Sequence, residues 1–378
     1  MRTPLCDRLG IEFPIFAFSH CRDVVAAVSR AGGLGVLGAV ALSPEQLDIE
    51  LTWIEEQVGG RPYGVDVLVP ARYVGSEEGG RAPAELAEMI PAEHRSFVDD
   101  LLDRYDVPPL PSDQQAPSGL LSWSHKGAAP LMDVAFEHPI ALIANALGPA
   151  PPEMVARAHD QGVVVAGLVG SRVHAERQQG AGVDVIVAQG YEAGGHTGEI
   201  ATMVLVPEVV DVVAPTPVLA AGGIASGRQI AAALALGAQG VWCGSIWLTT
   251  EEAETHPVVK QKFLRAGSSD TVRSRASTGK PARQLRTAWT DEWDSPATPE
   301  PLPMPLHGML VAEAQARIAR AATTSGSGAE ELATYFVGQA VGMMNQVKPV
   351  KQVMYELVEE YIEAAARLAA SVADQPPS

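Results

Sequence analysis

The chain has 378 residues, 47% of them hydrophobic, and a formal net charge of -18. This length and composition allow a barrel-sized globular core with an appendage, while the acidity argues against nucleic acid and anionic membranes as partners, since both require clustered positive charge. The three cysteines form no C-x-x-C pair and have no histidines nearby. The N-terminus does not resemble a signal peptide, and no apolar run is long enough to cross a membrane. These features predict a cytoplasmic protein without disulfides, metal or membrane contact.

Apolar runs alternate with helical segments through the first two thirds of the chain. Strands are predicted at 13–18, 34–40, 63–69, 140–147, 163–169, 183–189, 216–221 and 240–244, and most are followed by a helix. Ser43, Pro44 and Gln46 are typical of a helix start, because they satisfy its free N–H groups. Eight such repeats predict an α/β fold that closes as a TIM barrel or stays open as a doubly wound sheet. The dinucleotide-binding open sheet loses support, since no G-x-G-x-x-G follows the first strand.

The alternation is interrupted after the third strand and ends after the eighth. Residues 70–132 are rich in Gly and Pro, with one helix predicted at 84–105, and we interpret them as an insertion that either caps the barrel mouth or is peripheral. Beyond residue 248 we predict a helix at 251–266, an irregular stretch at 268–305 and helices at 307–321, 329–342 and 351–370. The predicted domains are therefore a barrel over 1–266 and an appendage over 267–378 packed on it. Met343 and Met344 are interpreted as core or subunit contacts, which leaves a homo-oligomer open.

A glycine-rich loop after the sixth predicted strand carries the clearest chemical signal. The β-branched run 183–187 continues into Ala-Gln-Gly-Tyr-Glu-Ala-Gly-Gly-His-Thr-Gly at 188–198. Its glycines let the backbone approach a ligand and present N–H groups, because no Cβ stands in the way. The loop also carries one imidazole, His196, which the loop would hold beside the ligand. Glu192 in the same loop is interpreted as a stabilising carboxylate.

Two further glycine turns follow the seventh and eighth predicted strands. The first contains Gly222 and Gly223, and the second contains Gly244 and Ser245. Barrels of this class often hold a phosphate with the loops after these two strands, where backbone N–H groups and a short helix N-terminus face the anion. Either cluster alone would be an ordinary turn, but their joint placement predicts a phosphate site.

These segments together resemble the nitronate monooxygenase family. The resemblance covers most of residues 10–290 and rests on 189–198, 218–252 and Thr-Gly-Lys-Pro-Ala-Arg at 278–283. It implies a TIM (β/α)8 barrel that binds FMN. The residues that it implies for the cofactor are Gly222, Gly223, Gly244 and Ser245 at the phosphate, Gln189, Gly194 and Gly195 near the ring, and Ala17, Phe18 and Ser19 against the flavin.

The chain departs from the family pattern in two loops. Members commonly read Ala-Pro-Met after the first strand, where this chain has Ala17, Phe18 and Ser19. Many members carry Asn-x-Pro after the third strand, and Asp66 and Pro70 do not reproduce it. These departures leave open the contacts of the pocket floor and the choice of substrate.

The resemblance implies a reaction and a catalytic residue. An alkyl nitronate gives an electron to the flavin, O2 recombines with the substrate, and a carbonyl compound and nitrite are formed without NAD(P)H. His196 is the implied catalytic residue, because a neutral imidazole can accept a proton from a carbon acid or bind an anion. His20, just past the first strand, is a weaker candidate at the same rim.

Several alternatives stay open from the sequence. The basic stretch 273–286 is either a solvated loop or folds so that Lys280 or Arg283 reaches the barrel mouth. In the second case the cation would attract an anion. A second function on the same fold is an FMN-dependent reductase of enoyl or other acyl thioesters that uses NAD(P)H. A third is a non-catalytic protein that binds FMN.

Overall fold

The computed structural model describes residues 1–69, 82–114, 125–324 and 326–373. Eight parallel strands form a closed barrel, and the pairing of Phe16 in the first strand with Trp242 in the last closes the ring. The barrel strands, numbered with all strands in chain order, are β1 (Ile15–Ser19), β2 (Leu34–Gly38), β3 (Tyr63–Asp66), β4 (Leu142–Asn145), β5 (Val164–Val169), β6 (Val185–Gln189), β8 (Val218–Ala221) and β9 (Gly240–Cys243). The predicted TIM barrel is confirmed.

Helices cover the outside of the barrel. They are α2 (Arg22–Arg30), α3 (Pro44–Val58), α6 (His125–Ala135), α7 (Pro152–Asp160), α8 (Arg172–Gly180), α9 (Thr202–Val213) and α10 (Gly227–Ala235). The predicted start of α3 is confirmed, because Ser43 Oγ accepts a bond from Gln46 N at 3.2 Å and Gln46 Oε1 accepts one from Ser43 N at 2.9 Å. These two bonds are the capping box that the sequence pattern indicated.

Alternation along each strand divides the barrel residues into two packed layers. Tyr63 and Val65 of β3, for example, belong to the layer between the strands and the helices. A separate cluster fills the barrel interior and includes Phe16, Val36, Ala144 and Val187. Leu5 of a short helix, α1 (Pro4–Leu9), joins this inner cluster, so the helix packs against the barrel interior. So short an element carries no periodic pattern from which it could be predicted.

A second hydrophobic core lies outside the barrel and combines the insertion with the region after β9. Leu101 and Leu102 from the insertion pack in one cluster with Phe263, Trp289 and other residues from the C-terminal third. The helices that contribute are α4 (Pro83–Glu88), α5 (Ala92–Arg104), α11 (Pro257–Arg265), α12 (Ala288–Trp293), α13 (Leu306–Ala321) and α14 (Ala329–Leu332). The remainder of the insertion, 70–81 and 115–124, lies outside the described residues.

Four predictions for these regions were wrong in detail. The helix predicted at 84–105 is two helices, because Pro91 breaks the pattern and stands at the N-cap of α5. The helix predicted at 251–266 begins only at Pro257. The stretch 268–305, predicted as irregular, contains β10 (Thr271–Ser274), β11 (Ala282–Leu285) and α12. The helix predicted at 329–342 ends at Leu332, since the chain then forms a bridge from Phe336 to β11 and a 3₁₀ helix, Gln339–Met343.

A small antiparallel sheet connects the glycine-rich loop 188–198, the signature loop, to the second core. Its order is β10, β11 and β7 (Gly195–His196), so the predicted catalytic histidine lies on an edge strand of this sheet. The last helix, α15 (Val350–Ala373), returns to the barrel and packs on α10 and α2. Within the described parts of the chain, no helix combines the length and the apolar character that crossing a membrane requires.

Candidate active site at the carboxyl end of the barrel

The small sheet fixes the orientation of His196. The residue pairs with Ala282 of β11, and its Nδ1 lies 3.2 Å from the carbonyl oxygen of Pro281. Because a carbonyl can only accept, this contact places the ring proton on Nδ1. Nε2 is then left with its lone pair, and the hydroxyl of Thr278 lies 3.5 Å from it. The imidazole therefore has one nitrogen bound to the backbone and one available for chemistry.

The surroundings keep this imidazole neutral. Burial chiefly, together with the nearby Lys280 ammonium, lowers the pKa of His196 to about 4 against the opposing effect of the bond to Pro281. Lys280 itself is exposed. At neutral pH the pair thus presents one positive charge and one uncharged ring nitrogen. An anion bound beside them would raise the pKa of His196, because it favours the imidazolium.

The two predicted phosphate loops lie side by side on β8 and β9. Gly222 and Gly223 have φ values of 101° and 72°, a region that other residues rarely adopt. A Cβ at Gly244 would meet only Phe18 Cδ1, at 4.0 Å, so the space above its backbone is open. Ser245 Oγ accepts a bond from Gly338 N at 2.8 Å, which leaves its own O–H free to donate.

The helix after β8 is not open to a phosphate. At the start of α10, Gly227 N donates to the carboxylate of Glu360 from α15 at 2.9 Å. An acidic group therefore already occupies this helix N-terminus. The short 3₁₀ helix Ser245–Thr249 begins directly after Gly244 and supplies the second helix end beside the loops. Glu360 thus removes the N-terminus of α10 from the predicted phosphate site, and contacts by the loop glycines and this short helix stay a prediction.

The first loop contributes mainly an aromatic surface. Phe18 stacks on Trp242 with ring centroids 6.5 Å apart, and it meets the His20 ring edge-on at 5.1 Å. Ser19 Oγ accepts a bond from Cys21 N at 3.1 Å. Ala17 is fully buried in the layer between strands and helices. Any contact of Ala17 with a cofactor is therefore through its backbone.

The ring-side residues of the signature loop differ in their surroundings. Gln189 ends β6 and is half-buried, and nothing lies within 4 Å of where a Cβ of Gly195 would stand. A Cβ at Gly194 would instead come within 2.8–2.9 Å of Val337 and Gly338. Glycine at 194 is thus required by the close approach of the C-terminal segment. The interpretation of Glu192 as a stabilising residue agrees with its carboxylate, which accepts bonds from the backbone N–H and the hydroxyl of Thr202.

Arg283 supports the loop from the other face of the sheet. Its Nε donates to the carbonyl of Tyr191 at 3.1 Å, its Nη1 donates to Thr271 Oγ1 at 3.0 Å, and its guanidinium lies 4.5 Å from the Tyr191 ring. The residue is 2% exposed. Of the two cations considered in the basic stretch, Lys280 acts on His196 and Arg283 holds the loop that leads to it.

Sequence reasoning did not assign Asp66 to the site, although it noted the residue as a departure from the family. Asp66 ends β3 and is 5% exposed, and its Oδ1 has no hydrogen-bond partner. Burial raises its pKa to about 7. His20, on the same rim, donates a hydrogen bond from Nδ1 to Gly38 O at 2.9 Å, and burial lowers its pKa. The only available signal for Asp66 was an acid at the end of an apolar strand.

Two cavities lie near the surface of the described residues. One, of about 370 Å³, opens between α9 and α10 beside Gly222 and Gly223, with Met203 and Met343 at its rim. The other, of about 470 Å³, is lined by Lys262, Arg286 and neighbouring residues, and none of the predicted site residues lines it. We assign the site from the barrel end, the glycine loops and His196, because these carry the polar groups that a ligand needs.

The residues present fit a flavin nucleotide. The open backbone at Gly244 and the left-handed turn at Gly222 and Gly223 suit a phosphate. Across the barrel mouth, the unpartnered carboxyl of Asp66 is a buried polar group that a ligand would satisfy. The stacked rings of Phe18 and Trp242 provide an apolar surface between the glycine loops and Asp66.

Comparison with known proteins places the chain in a family. The family model described as "Nitronate monooxygenase" matches residues 2–360. The chain is 65% identical over 369 residues to "Putative monooxygenase Rv1533" of Mycobacterium tuberculosis, covering 97% of this chain and 98% of that protein. It is 30% identical over 301 residues, 78% of this chain and 69% of the relative, to the M. tuberculosis "(3aS,4S,5R,7aS)-5-hydroxy-7a-methyl-1-oxo-octahydro-1H-indene-4-carboxyl-CoA dehydrogenase".

A solved structure supports the same assignment. The nitroalkane oxidase of Streptomyces ansochromogenes is 26% identical, with a TM-score of 0.78, and the match covers 96% of this chain and 99% of the oxidase. The similarity therefore extends over the barrel, the insertion and the C-terminal region together. The chain belongs to the nitronate monooxygenase family of flavin-dependent oxidoreductases.

Proposed function

We propose that the protein is an FMN-dependent enzyme that converts alkyl nitronates and O2 to carbonyl compounds and nitrite. Two nitronate anions and one O2 give two carbonyl compounds and two nitrite ions, so no external reductant is required. FMN supplies the redox chemistry when bound. The protein's residues bind the phosphate, exclude water and orient the substrate anion.

The observation that carries the proposal is the neutral His196 beside the cation of Lys280. With a pKa of about 4, His196 is a weak proton acceptor at neutral pH. A substrate that enters as an anion needs no proton removed, and the Lys280 ammonium favours it over a neutral molecule. The pair thus suits a nitronate better than the corresponding neutral nitroalkane.

The phosphate side of the proposal rests on the two glycine loops. Gly222, Gly223, Gly244 and Ser245 would hold the FMN phosphate through backbone N–H groups and one hydroxyl. Gln189 and Gly195 stand at the next strand end, where the ring would lie. Phe18, with Ser19 and the backbone of Ala17, would form the pocket floor. Gly194 would contribute through its backbone, since its Cα side packs on Val337.

A second function is a flavin-dependent reductase or dehydrogenase of acyl thioesters that uses NAD(P)H. A specific observation favours it, because one relative is named as a dehydrogenase of a carboxyl-CoA ester. The same barrel and phosphate loops would serve both reactions. Family membership favours either enzyme over the non-catalytic FMN-binding alternative. All three cysteines are free and buried, which suits a reducing compartment such as the cytoplasm.

One set of measurements separates the two activities. The visible spectrum of the purified protein reports bound flavin. Denaturing the protein releases the cofactor, which can then be identified as FMN. Nitrite release from a nitronate under air, without NAD(P)H, supports the proposed function. Rapid anaerobic bleaching of the flavin by NAD(P)H, with turnover of an acyl thioester and no nitrite, would instead establish the second function.

A further inference from the structure

The carboxyl of Asp66 is the one acidic group that ends a barrel strand on the inner face within the described residues. Tyr63 and Val65 of β3 pack in the outer layer, so Gly64 and Asp66 alternate to the interior. Asp66 pairs in register with Gly38 of β2 and Ala144 of β4. Both neighbours are small, and the space above them belongs to the mouth of the barrel.

No partner in the described chain satisfies this carboxyl. It is 5% exposed, its Oδ1 lacks any hydrogen-bond partner, and no ion pair reaches it. Burying an ionised carboxylate without a partner costs roughly several kcal/mol relative to leaving it in water. Such a group therefore either binds a proton or gains a partner from a ligand. Burial alone raises its pKa to about 7, with no contribution from a charged neighbour.

The groups that face Asp66 from neighbouring elements are uncharged at neutral pH. Gly38 has no side chain, and the rings of Phe18 and His20 cover it. Burial lowers the pKa of His20, so its imidazole is neutral. Ala144 is apolar, and the Asn145 amide beside it is already bound to the backbone of residues 69, 148 and 149. None of these groups would hold Asp66 ionised.

The strand order places Asp66 opposite the phosphate loops. The closed ring runs β1, β2, β3, β4, β5, β6, β8, β9, so β3 is four places from β8 in either direction. Both strands deliver their carboxyl ends to the same mouth. A nucleotide whose phosphate is held at Gly222 and Gly223 would extend its ring system across the mouth toward Asp66.

We propose that Asp66 binds the flavin ring directly and stays protonated when it does so. A carboxylic acid offers an O–H donor next to a C=O acceptor, and the pyrimidine side of the flavin ring carries N–H and C=O groups in adjacent positions. Two hydrogen bonds between these edges would satisfy the carboxyl without burying a charge. This inference rests on the proposed FMN binding and adds a titratable group to it.

The proposal makes FMN affinity depend on pH in a defined direction. Free protein with an Asp66 pKa of about 7 is ionised above that pH and must take up a proton to bind. Its affinity therefore falls up to about tenfold per pH unit above neutral. An Asp66→Asn variant keeps the shape and the donor and acceptor, but it cannot titrate.

The experiment is a titration of cofactor-free protein with FMN, followed by quenching of flavin fluorescence, from slightly acidic to alkaline pH. The ratio of the Kd of wild type to that of Asp66→Asn cancels the titration of the FMN phosphate. We expect this ratio to rise about tenfold per pH unit above neutral. The control Asp211→Asn, an exposed acid on α9, should follow wild type. Calorimetry on wild type in two buffers should show uptake of close to one proton per FMN at alkaline pH.

Two results would overturn the assignment of Asp66. A ratio that is constant with pH, or wild-type binding without proton uptake, would show that the carboxyl does not bind the ring in protonated form. Neither result would affect the FMN assignment. Failure of both proteins to bind FMN at every pH would instead overturn the cofactor proposal and this inference with it. Nitrite release is not used as a readout, so the reaction proposal is tested separately.

Discussion

The seating of α15 on α10 can be tested by adding a single methyl group. A Cβ at Gly227 would stand 2.2 Å from Leu357 O and 2.3 Å from Tyr361 N, both of them backbone atoms of α15. Real Cβ atoms do not approach backbone so closely, so Gly227→Ala forces the two helices apart by about an ångström. The bond from Gly227 N to Glu360 would be lost at the same time.

The expected change in unfolding free energy combines two destabilising terms and one stabilising term. Overpacking of this kind costs about 1–3 kcal/mol, and losing a hydrogen bond to a charged acceptor costs about 1.5–3 kcal/mol. Alanine in place of glycine in a helix gains up to about 1 kcal/mol. The variant should therefore lose about 1.5–6 kcal/mol of unfolding free energy, the sum of these terms.

A matched control exists on the same barrel. Gly180 ends α8, is exposed, and has nothing within 4 Å of its Cβ position. Gly180→Ala should therefore be neutral or stabilise the protein by up to about 1 kcal/mol. Urea unfolding followed by circular dichroism compares the two variants with wild type. If Gly227→Ala unfolds at the same urea concentration as Gly180→Ala, α15 does not pack on α10 as described.

Three further predictions concern histidines and the site cation. His196→Ala should keep the flavin spectrum and lose about 10–100-fold in kcat/KM for nitronate, because a bound anion favours the imidazolium and the variant loses its hydrogen bond to that anion, worth about 1.5–3 kcal/mol. The exposed His174→Ala should match wild type, and normal rates in His196→Ala would remove His196 from the mechanism. Lys280→Gln should raise the KM for nitronate about two- to fivefold with little change in kcat, whereas Lys351→Gln should leave the KM unchanged. An equal KM in both variants would show that Lys280 does not attract the substrate. Burial lowers the pKa of His307 to about 4 from the usual value of about 6.5. Unfolded chains therefore bind the extra proton first, and stability falls by up to about 3 kcal/mol as pH drops between these values. In His307→Gln this part of the acid sensitivity, measured by urea unfolding at several pH values, should disappear, and an unchanged pH slope would contradict it.

The barrel was predictable because its signals are local. Each strand is a short apolar run, and each strand end coincides with the glycine or polar residues that begin the next loop. The start of α3 could be read from Ser43, Pro44 and Gln46 alone. The position of His196 after the sixth barrel strand followed from the same reasoning. The phosphate loops remain a prediction, although the structure gives Gly222 and Gly223 the turn that the sequence indicated.

The parts that were missed depend on contacts between distant segments. β7 has only two residues and exists because β11 pairs with it. Residues after Leu332 favour a helix locally, yet Leu285 N bonds to Tyr335 O and Thr334 Oγ1 bonds to Leu285 O, which holds the chain extended. Neither pairing leaves a periodic pattern in the sequence. Tertiary pairing overrode local propensity in both places.

The C-terminal segment belongs to the site as much as the barrel loops do. Gly338 N donates to Ser245 Oγ, and Gln339 N donates to the carbonyl of Glu192 at 2.9 Å, so one turn of chain contacts both the phosphate loop and the signature loop. Phe336 lies 6.4 Å from the His196 ring. Because this segment lies beside His196, and the glycines are proposed to bind the constant part of the cofactor, we expect selectivity for the substrate to depend on residues outside the barrel. Substitutions at Phe336 should therefore change which nitronates are used, while FMN binding stays the same.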